Sequence, residues 1–299
     1  MSEHPLLEMA GVHKAFRYFE LTDVHLRLQP GQVMGFVGPN GAGKSTTIRI
    51  LMGILAADRG EVRVLGQSIR DQQSAAKREV GFVSEDMRLY GQATLAWHMQ
   101  LVASLCPRWD AAYADRLVRR FLLHPDQPVK ALSHGERVKA TLLLALARRP
   151  RLLLLDEPTT GLDPVARHEV LTELMAMMAD EGRGILFSSH NTQDVEQISD
   201  HITFIDRGRI VESRDKESFL ERWRRLYVDV PPGGSVPPYA GIVETKIAGR
   251  VAVVTTDAFS PALVTFYQDA GVTVRDVQRM SLEEIFVATV MSGRKERAA

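Results

Sequence analysis

The chain has 299 residues, 45% of them hydrophobic, and no formal net charge at neutral pH. That hydrophobic share excludes a disordered chain, and the charge balance excludes a global basic footprint for duplex DNA. A single cysteine, Cys106, excludes an internal disulfide and fits a reducing compartment. In chain order, residues 6–37 read as strands and turns, with Gln29-Pro30-Gly31 as a turn signal. The run Val33–Val37 is short and apolar and stops at a glycine, as a fully buried strand does. A glycine-rich loop follows, then apolar residues at helical spacing from Lys44 onward. Residues 60–66 and 79–85 read as strands, and residues 87–149 as mainly helical. Residues 152–155 form a buried strand stopped by Pro158, and residues 166–182 an amphipathic helix ending at Gly182. A strand over 184–190 and a hairpin about Arg207-Gly208 complete the pattern, and alternating strands and helices argue for an α/β core. Residues 229–241 are rich in proline and glycine and read as a linker or long loop. Beyond them the order is strand, strand, helix, strand, helix, a small α+β appendage. The first ten residues lack a signal-peptide pattern, and no apolar run approaches the roughly 18 residues that span a bilayer. A membrane role would need another chain to supply the span.

The loop Gly38-Pro39-Asn40-Gly41-Ala42-Gly43-Lys44-Ser45 fits the pattern G-x-x-x-x-G-K-S/T, between a predicted strand and a predicted helix. Glycines there let backbone N–H groups approach phosphate oxygens without a Cβ in the way. The helix beginning near Lys44 turns its positive end toward the same anion. Lys44 would reach the β- and γ-phosphates, Ser45 would ligate Mg²⁺, and Thr46 would support the α- and β-phosphates. The bland alternative, a glycine-rich turn, leaves those flanks unexplained. Asp156 ends a buried strand where ligands gather in α/β sheets, and would hold Mg²⁺ through water. Glu157 follows as a general base for an attacking water; a strand that happens to end in two acids is the alternative. His190 ends the next strand and would hydrogen-bond the γ-phosphate, although a lone histidine is more often structural. Ser133 and Glu136 form a capping box. That is either a well-capped core helix or a helix end offering a hydroxyl, the Gly135 N–H and a dipole to a second anion.

Taken together, residues 38–46, Leu132-Ser133-His134-Gly135-Glu136, Asp156-Glu157 and Ser188-Ser189-His190 resemble the ATP-binding subunit of an ABC transporter over about residues 6–212. A Leu-Ser-x-Gly stretch just upstream of the acidic strand is not shared by other P-loop families. The resemblance implies a P-loop NTPase core with an antiparallel β subdomain and a helical signature subdomain at about 87–149. It places an ATP-binding domain at 1–225 and a small α+β domain at 226–299, with ATP and Mg²⁺ as cofactors. It also implies a head-to-tail dimer in which Ser133 and Gly135 of one copy close over ATP held at Lys44 of the other. Gly161-Leu162-Asp163 resembles the loop that crosses that contact. Phe16 falls where the family stacks an aromatic on adenine; an ordinary core phenylalanine is the alternative.

Two residues depart from the family pattern. Glu85 stands where glutamine is usual; it can offer Mg²⁺ an oxygen but only accepts hydrogen bonds, and it is otherwise a solvated loop acid. Leu-Ser-His-Gly-Glu replaces Leu-Ser-Gly-Gly-Gln, which keeps Ser133, Gly135 and the cap and makes His134 a candidate for pH sensitivity of the closed dimer. Near the end, residues 281–286 are similar to a motif of ATPases paired with ABC-2 exporters, and also read as a capping box. Arg222-Trp223-Arg224-Arg225 is either a solvated helix end or a membrane-surface patch. The expected function is an ATP-hydrolysing energy-coupling subunit of an export or efflux transporter. It would act as a homodimer or with a paired ATPase subunit, on a separate ABC-2 permease, peripheral to the cytoplasmic face of the cell membrane. The permease helix would seat near residues 85–97, and no nucleic-acid partner is expected. A soluble ABC ATPase acting on ribosomes or nucleic acid is the alternative. The translation type normally carries two modules, and the repair type inserts a coiled coil where residues 47–131 show no heptads. A small-molecule kinase would leave residues 132–136 unexplained.

Overall fold

The computed structural model describes residues 4–230 and 235–296. Contacts divide the chain into two compact units between Ile210 and Val211.

The first unit begins with β1 (Leu7–Ala15) and β2 (Glu20–Leu28), paired antiparallel. Val24, Leu26 and Leu28 alternate with exposed residues, the period-two pattern of a strand with one buried face. β3 (Val33–Val37) is buried throughout and leads through the glycine loop into α1 (Lys44–Leu51). β4 (Arg59–Val64) and the short β5 (Gln67–Ser68) complete a four-stranded sheet in the order β2-β1-β4-β5. After α2 (Gln73–Lys77) and β6 (Val80–Ser84) comes the helical segment. It holds α3 (Leu95–Leu105), α4 (Ala111–Arg120) and α5 (His134–Leu146). Thr94 and Asp110 cap α3 and α4 by accepting from the Trp97 and Tyr113 amides.

The remaining elements of this unit alternate strand and helix. They are β7 (Leu152–Asp156), α6 (Pro164–Met177), β8 (Gly184–Ser189), α7 (Thr192–Ile198), β9 (His201–Asp206) and β10 (Arg209–Asp215), the last crossing the boundary between units. The second sheet has the order β10-β9-β3-β8-β7-β6, with β9, β3, β8, β7 and β6 parallel. β3, β8 and β7 lie inside it and are buried on both faces, which is why each reads as a continuous apolar run. Parallel pairing sets their carboxyl ends along one edge. α6 stops at Met177 and not at Gly182. Asp180 accepts from the Gly182 amide at 3.1 Å and from Arg183 Nε at 2.9 Å, a local turn that competes with further helix.

The second unit comprises α8 (Lys216–Arg222), β11 (Arg224–Asp229), β12 (Ile242–Ala248), β13 (Val251–Thr256), α9 (Pro261–Asp269), β14 (Thr273–Arg279) and α10 (Leu282–Glu296). Its antiparallel sheet has the order β12-β13-β11-β14. Leu226, Val228, Ala252 and Val254 pack from one face onto Leu263 and Tyr267 of α9. β11 pairs on both sides inside this sheet, so the unit starts ahead of the expected residue 226. The four-residue basic patch is likewise corrected: Trp223 is buried, Arg224 donates to the Leu220 carbonyl, and Arg225 pairs with Glu284 at 2.8 Å. The patch is the end of α8 and the start of β11, so the helix-end reading holds, but the segment is partly buried and structural, not solvated. Of the proposed linker, residues 231–234 lie outside the described residues; β11 and β12, the strands on either side of it, belong to one unit. Ser281 accepts from the Glu284 amide at 3.3 Å while Glu284 accepts from the Ser281 amide at 2.9 Å, so residues 281–284 do form a capping box.

At Gly35, in the middle of β3, a Cβ would collide with Val195 Cγ1 of α7 and lie 2.8 Å from Ser199 Oγ. Gly35→Ala is expected to cost about 1–3 kcal/mol by overpacking, read as a lower urea midpoint. An unchanged midpoint would contradict this close approach of helix and sheet.

Candidate functional site

The loop between β3 and α1 takes a conformation only glycine adopts cheaply at two places, Gly41 (φ +78°) and Gly43 (φ +112°). A Cβ on Gly43 would meet Leu21 Cδ2 at 2.6 Å and Phe19 Cζ at 2.9 Å, and one on Gly38 would meet the Ile205 carbonyl at 2.5 Å. The loop is thus pressed onto β2 and β9, leaving no space for side chains on that side. Lys44, the first residue of α1, is 5% exposed. Its Nζ donates to the carbonyls of Gly38 at 2.6 Å and Pro39 at 3.3 Å, and faces Glu157 Oε1 at 3.1 Å. Ser45 and Thr46 are half-buried in the same turn, and Pro39, Asn40 and Ala42 complete the loop.

Two neighbouring strands supply the acids. Asp156 ends β7, is buried, and accepts from Ser188 Oγ of β8 at 2.8 Å. Glu157 follows with φ +54°, an uncommon conformation for a residue with a Cβ. Its amide donates to the Ser188 carbonyl at 3.2 Å. The turn brings its carboxylate beside the loop: Oε1 faces Lys44, while Oε2 accepts from Thr160 Oγ1 at 3.1 Å and lies 2.8 Å from His190 Nδ1. Lys44, Glu157 and His190 therefore meet at the carboxyl ends of β3, β7 and β8, with Asp156 alongside.

Glu85 is exposed just beyond β6, and its amide donates to the Asp156 carbonyl at 3.3 Å. Phe16 is 45% exposed, so it is not a core residue; its ring stands 6.2 Å from that of Phe19, which abuts Gly43. Ser133 and Gly135 sit at the start of α5, where both halves of the capping box form. Among the described residues, no hydrogen bond or ion pair joins either of them to residues 38–46. The bonds from the Ser133 side chain and amide hold the Glu136 carboxyl below its usual value. The stabilisation from this group is therefore complete above the ordinary glutamate range and fades as pH falls through the lowered value.

Two contributors escaped sequence reasoning: Ser188, which holds Asp156, and Thr160, which holds Glu157; His134, singled out in the sequence for another role, lies with Nε2 2.9 Å from the Thr160 carbonyl. The only sequence signal was a hydroxyl residue close to an acid, which is too common to single out.

The family model for ABC transporters matches residues 21–160. Nod factor export ATP-binding protein I of Cupriavidus metallidurans is 33% identical, over 98% of this chain and 99% of that protein. The chain belongs to the ABC transporter ATP-binding family. Daunorubicin resistance ATP-binding protein DrrA3 of Streptomyces coeruleorubidus is 29% identical, with 93% of each chain covered. A solved ATP-binding subunit of an ABC transporter superposes with a TM-score of 0.66 at 28% identity, covering 72% of this chain and 92% of that one. This ABC protein is an ATPase with the P-loop NTPase fold, and the glycine loop with its buried lysine suits a nucleotide polyphosphate.

Ser133→Ala removes the acceptor for the Glu136 amide. It is expected to lower stability by about 1 kcal/mol, measured by chemical denaturation. Unchanged stability would show that the cap is idle in the folded chain.

Proposed function

We propose that this ABC ATPase is the energy-coupling subunit of an export transporter, working as a nucleotide-sandwich dimer on a separate permease of the ABC-2 type. One observation carries the dimer. Lys44, Glu157 and His190 converge around the loop, whereas Ser133, exposed at a capped helix end, makes no bond to that loop among the described residues. A second copy, or a paired ATPase subunit, would bring its own Ser133 and Gly135 over the bound ATP.

In this reading the amides of residues 38–43 and Lys44 Nζ hold the phosphates, and Thr46 supports the α- and β-phosphates. Phe16 stacks on adenine. Ser45, Asp156 and Glu85 offer an oxygen-only donor set, which suits Mg²⁺. Among the described residues no three His, Cys, Asp or Glu side chains form a metal cluster, so water and phosphate would complete the coordination. Mg²⁺ would supply charge neutralisation across the phosphates. Glu157 takes the proton of the attacking water through its carboxylate, and His190, paired to the same carboxylate, turns its other ring nitrogen to the γ-phosphate.

Export rests on the relatives, one of them named for Nod factor export. No helix among the described residues is long and apolar enough to cross a membrane, and this reading assigns the span to the permease, with the ATPase peripheral at the cytoplasmic face. Tyr90 and Trp97 support a docking place on the segment after β6: they are 69% and 43% exposed and pack edge to face at 5.6 Å. Large exposed aromatics are the residue types that anchor protein interfaces. The unit beginning at Val211 is an accessory domain of this subunit.

Glu157→Gln is expected to bind ATP, lose at least about 100-fold in turnover and run as a dimer in size-exclusion chromatography with saturating Mg-ATP. A monomeric variant under those conditions would overturn the sandwich. Glu85→Gln is expected to keep turnover within about tenfold, a barrier change of about 1.4 kcal/mol; near-complete loss would give Glu85 an essential role in place of a replaceable one.

A further inference from the structure

His134 occupies the place where the family pattern has glycine, and the structure gives its side chain a definite partner. The ring projects from the first turn of α5 onto the segment that follows Glu157. Its Nε2 lies 2.9 Å from the Thr160 carbonyl, and a Cβ on Gly161 would be 3.1 Å from the same nitrogen. Gly161 has φ +73°, so conformation and space both call for glycine under the ring. The next atom along is functional: Thr160 Oγ1 donates to Glu157 Oε2 at 3.1 Å. A carbonyl accepts a hydrogen bond only from a nitrogen that carries a proton, so Nε2 is the donor.

We propose that His134 is a positioning residue for hydrolysis. It pins the Thr160 backbone from the start of α5 and thereby keeps the Thr160 hydroxyl on Glu157 Oε2. Glu157 has to hold one oxygen free toward the γ-phosphate side while the other is fixed. Its Oε1 faces Lys44, and Oε2 is shared between Thr160 and His190. Loosening the Thr160 backbone leaves His190, on an exposed side chain, as the remaining orienting partner of Oε2. A carboxylate free to rotate is a poorer base in the transition state, while ground-state binding by the glycine loop and Lys44 does not involve Thr160. Signature residues usually face the neighbouring subunit's nucleotide; here one of them also serves the chain's own catalytic loop. The proposal rests on Glu157 being the base.

The test uses the full chain with His134→Gly, His134→Phe, His134→Gln and Thr160→Val, and reads kcat, KM, the Kd of a fluorescent ATP analogue and Tm. His134→Gly and His134→Phe should lower kcat about five- to tenfold with KM and Kd within about twofold. His134→Gln, whose amide can donate to the same carbonyl, should recover kcat to within about twofold. Combining His134→Gly with Thr160→Val should lower kcat no further than the worse single variant, because both act through one hydroxyl. The glycine variant also covers the case in which phenylalanine crowds Gly161 and lowers Tm. The proposal is overturned if His134→Gly keeps wild-type kcat, if its loss appears in KM and Kd, or if glutamine fails to rescue it. Failure of the underlying reading looks different: Glu157→Gln would then retain turnover.

Discussion

The ion pair between Lys44 and Glu157, 3.1 Å apart and both nearly excluded from solvent, is the contact on which the site depends. The two residues leave different strands, and neither strand end could be displaced by one residue without separating them. Register supplies the constraint: Val37 lies opposite Ser189, and Asp156 opposite Ser188, in adjacent parallel pairs. Since side chains alternate faces, a one-residue slip would turn Asp156 and Ser188 away from each other. The apolar burial of β3, β8 and β7 therefore does more than stabilise the sheet, because it aligns the loop lysine, an acid pair and a histidine at one edge.

Within that edge, the charges are held by neutral partners. Ser188 binds Asp156, and Thr160 binds Glu157. Carbonyls of Gly38 and Pro39 take two bonds from Lys44. Burying a charge is costly unless it is paired and hydrogen-bonded; Lys44 and Glu157 meet both conditions, and Asp156 is hydrogen-bonded to Ser188. The loop also draws on β2 and β9 from outside, through Leu21, Phe19 and Ile205 against Gly43 and Gly38. Phosphate-binding geometry here is a product of both sheets. The second unit has its own core about Leu226, Val254 and Tyr267.

The motif residues were legible because phosphate binding by a loop is local chemistry. Glycines, a lysine and a hydroxyl must be contiguous, and a strand before and a helix after can be read from apolar spacing. The capping boxes at Ser133 and Ser281 were legible for the same reason, since their partners are three residues away. The end of α6 was misread because Asp180 diverts the backbone into a turn, although the apolar spacing runs on. β11 was missed because its apolar pattern is short and its identity comes from pairing with β13 and β14.

The amino-acid order alone determined the nucleotide chemistry, the α/β class and the family pattern, since each rests on residues adjacent in the chain or repeating at strand and helix periods. Tertiary structure decided which side chains share a proton or a charge. Glu157 reaches Lys44 and His190 only through a backbone turn at positive φ, and His134 reaches Thr160 only because α5 packs beside the loop after β7. Such contacts join residues tens to more than a hundred positions apart, and no local spacing encodes the distance between them.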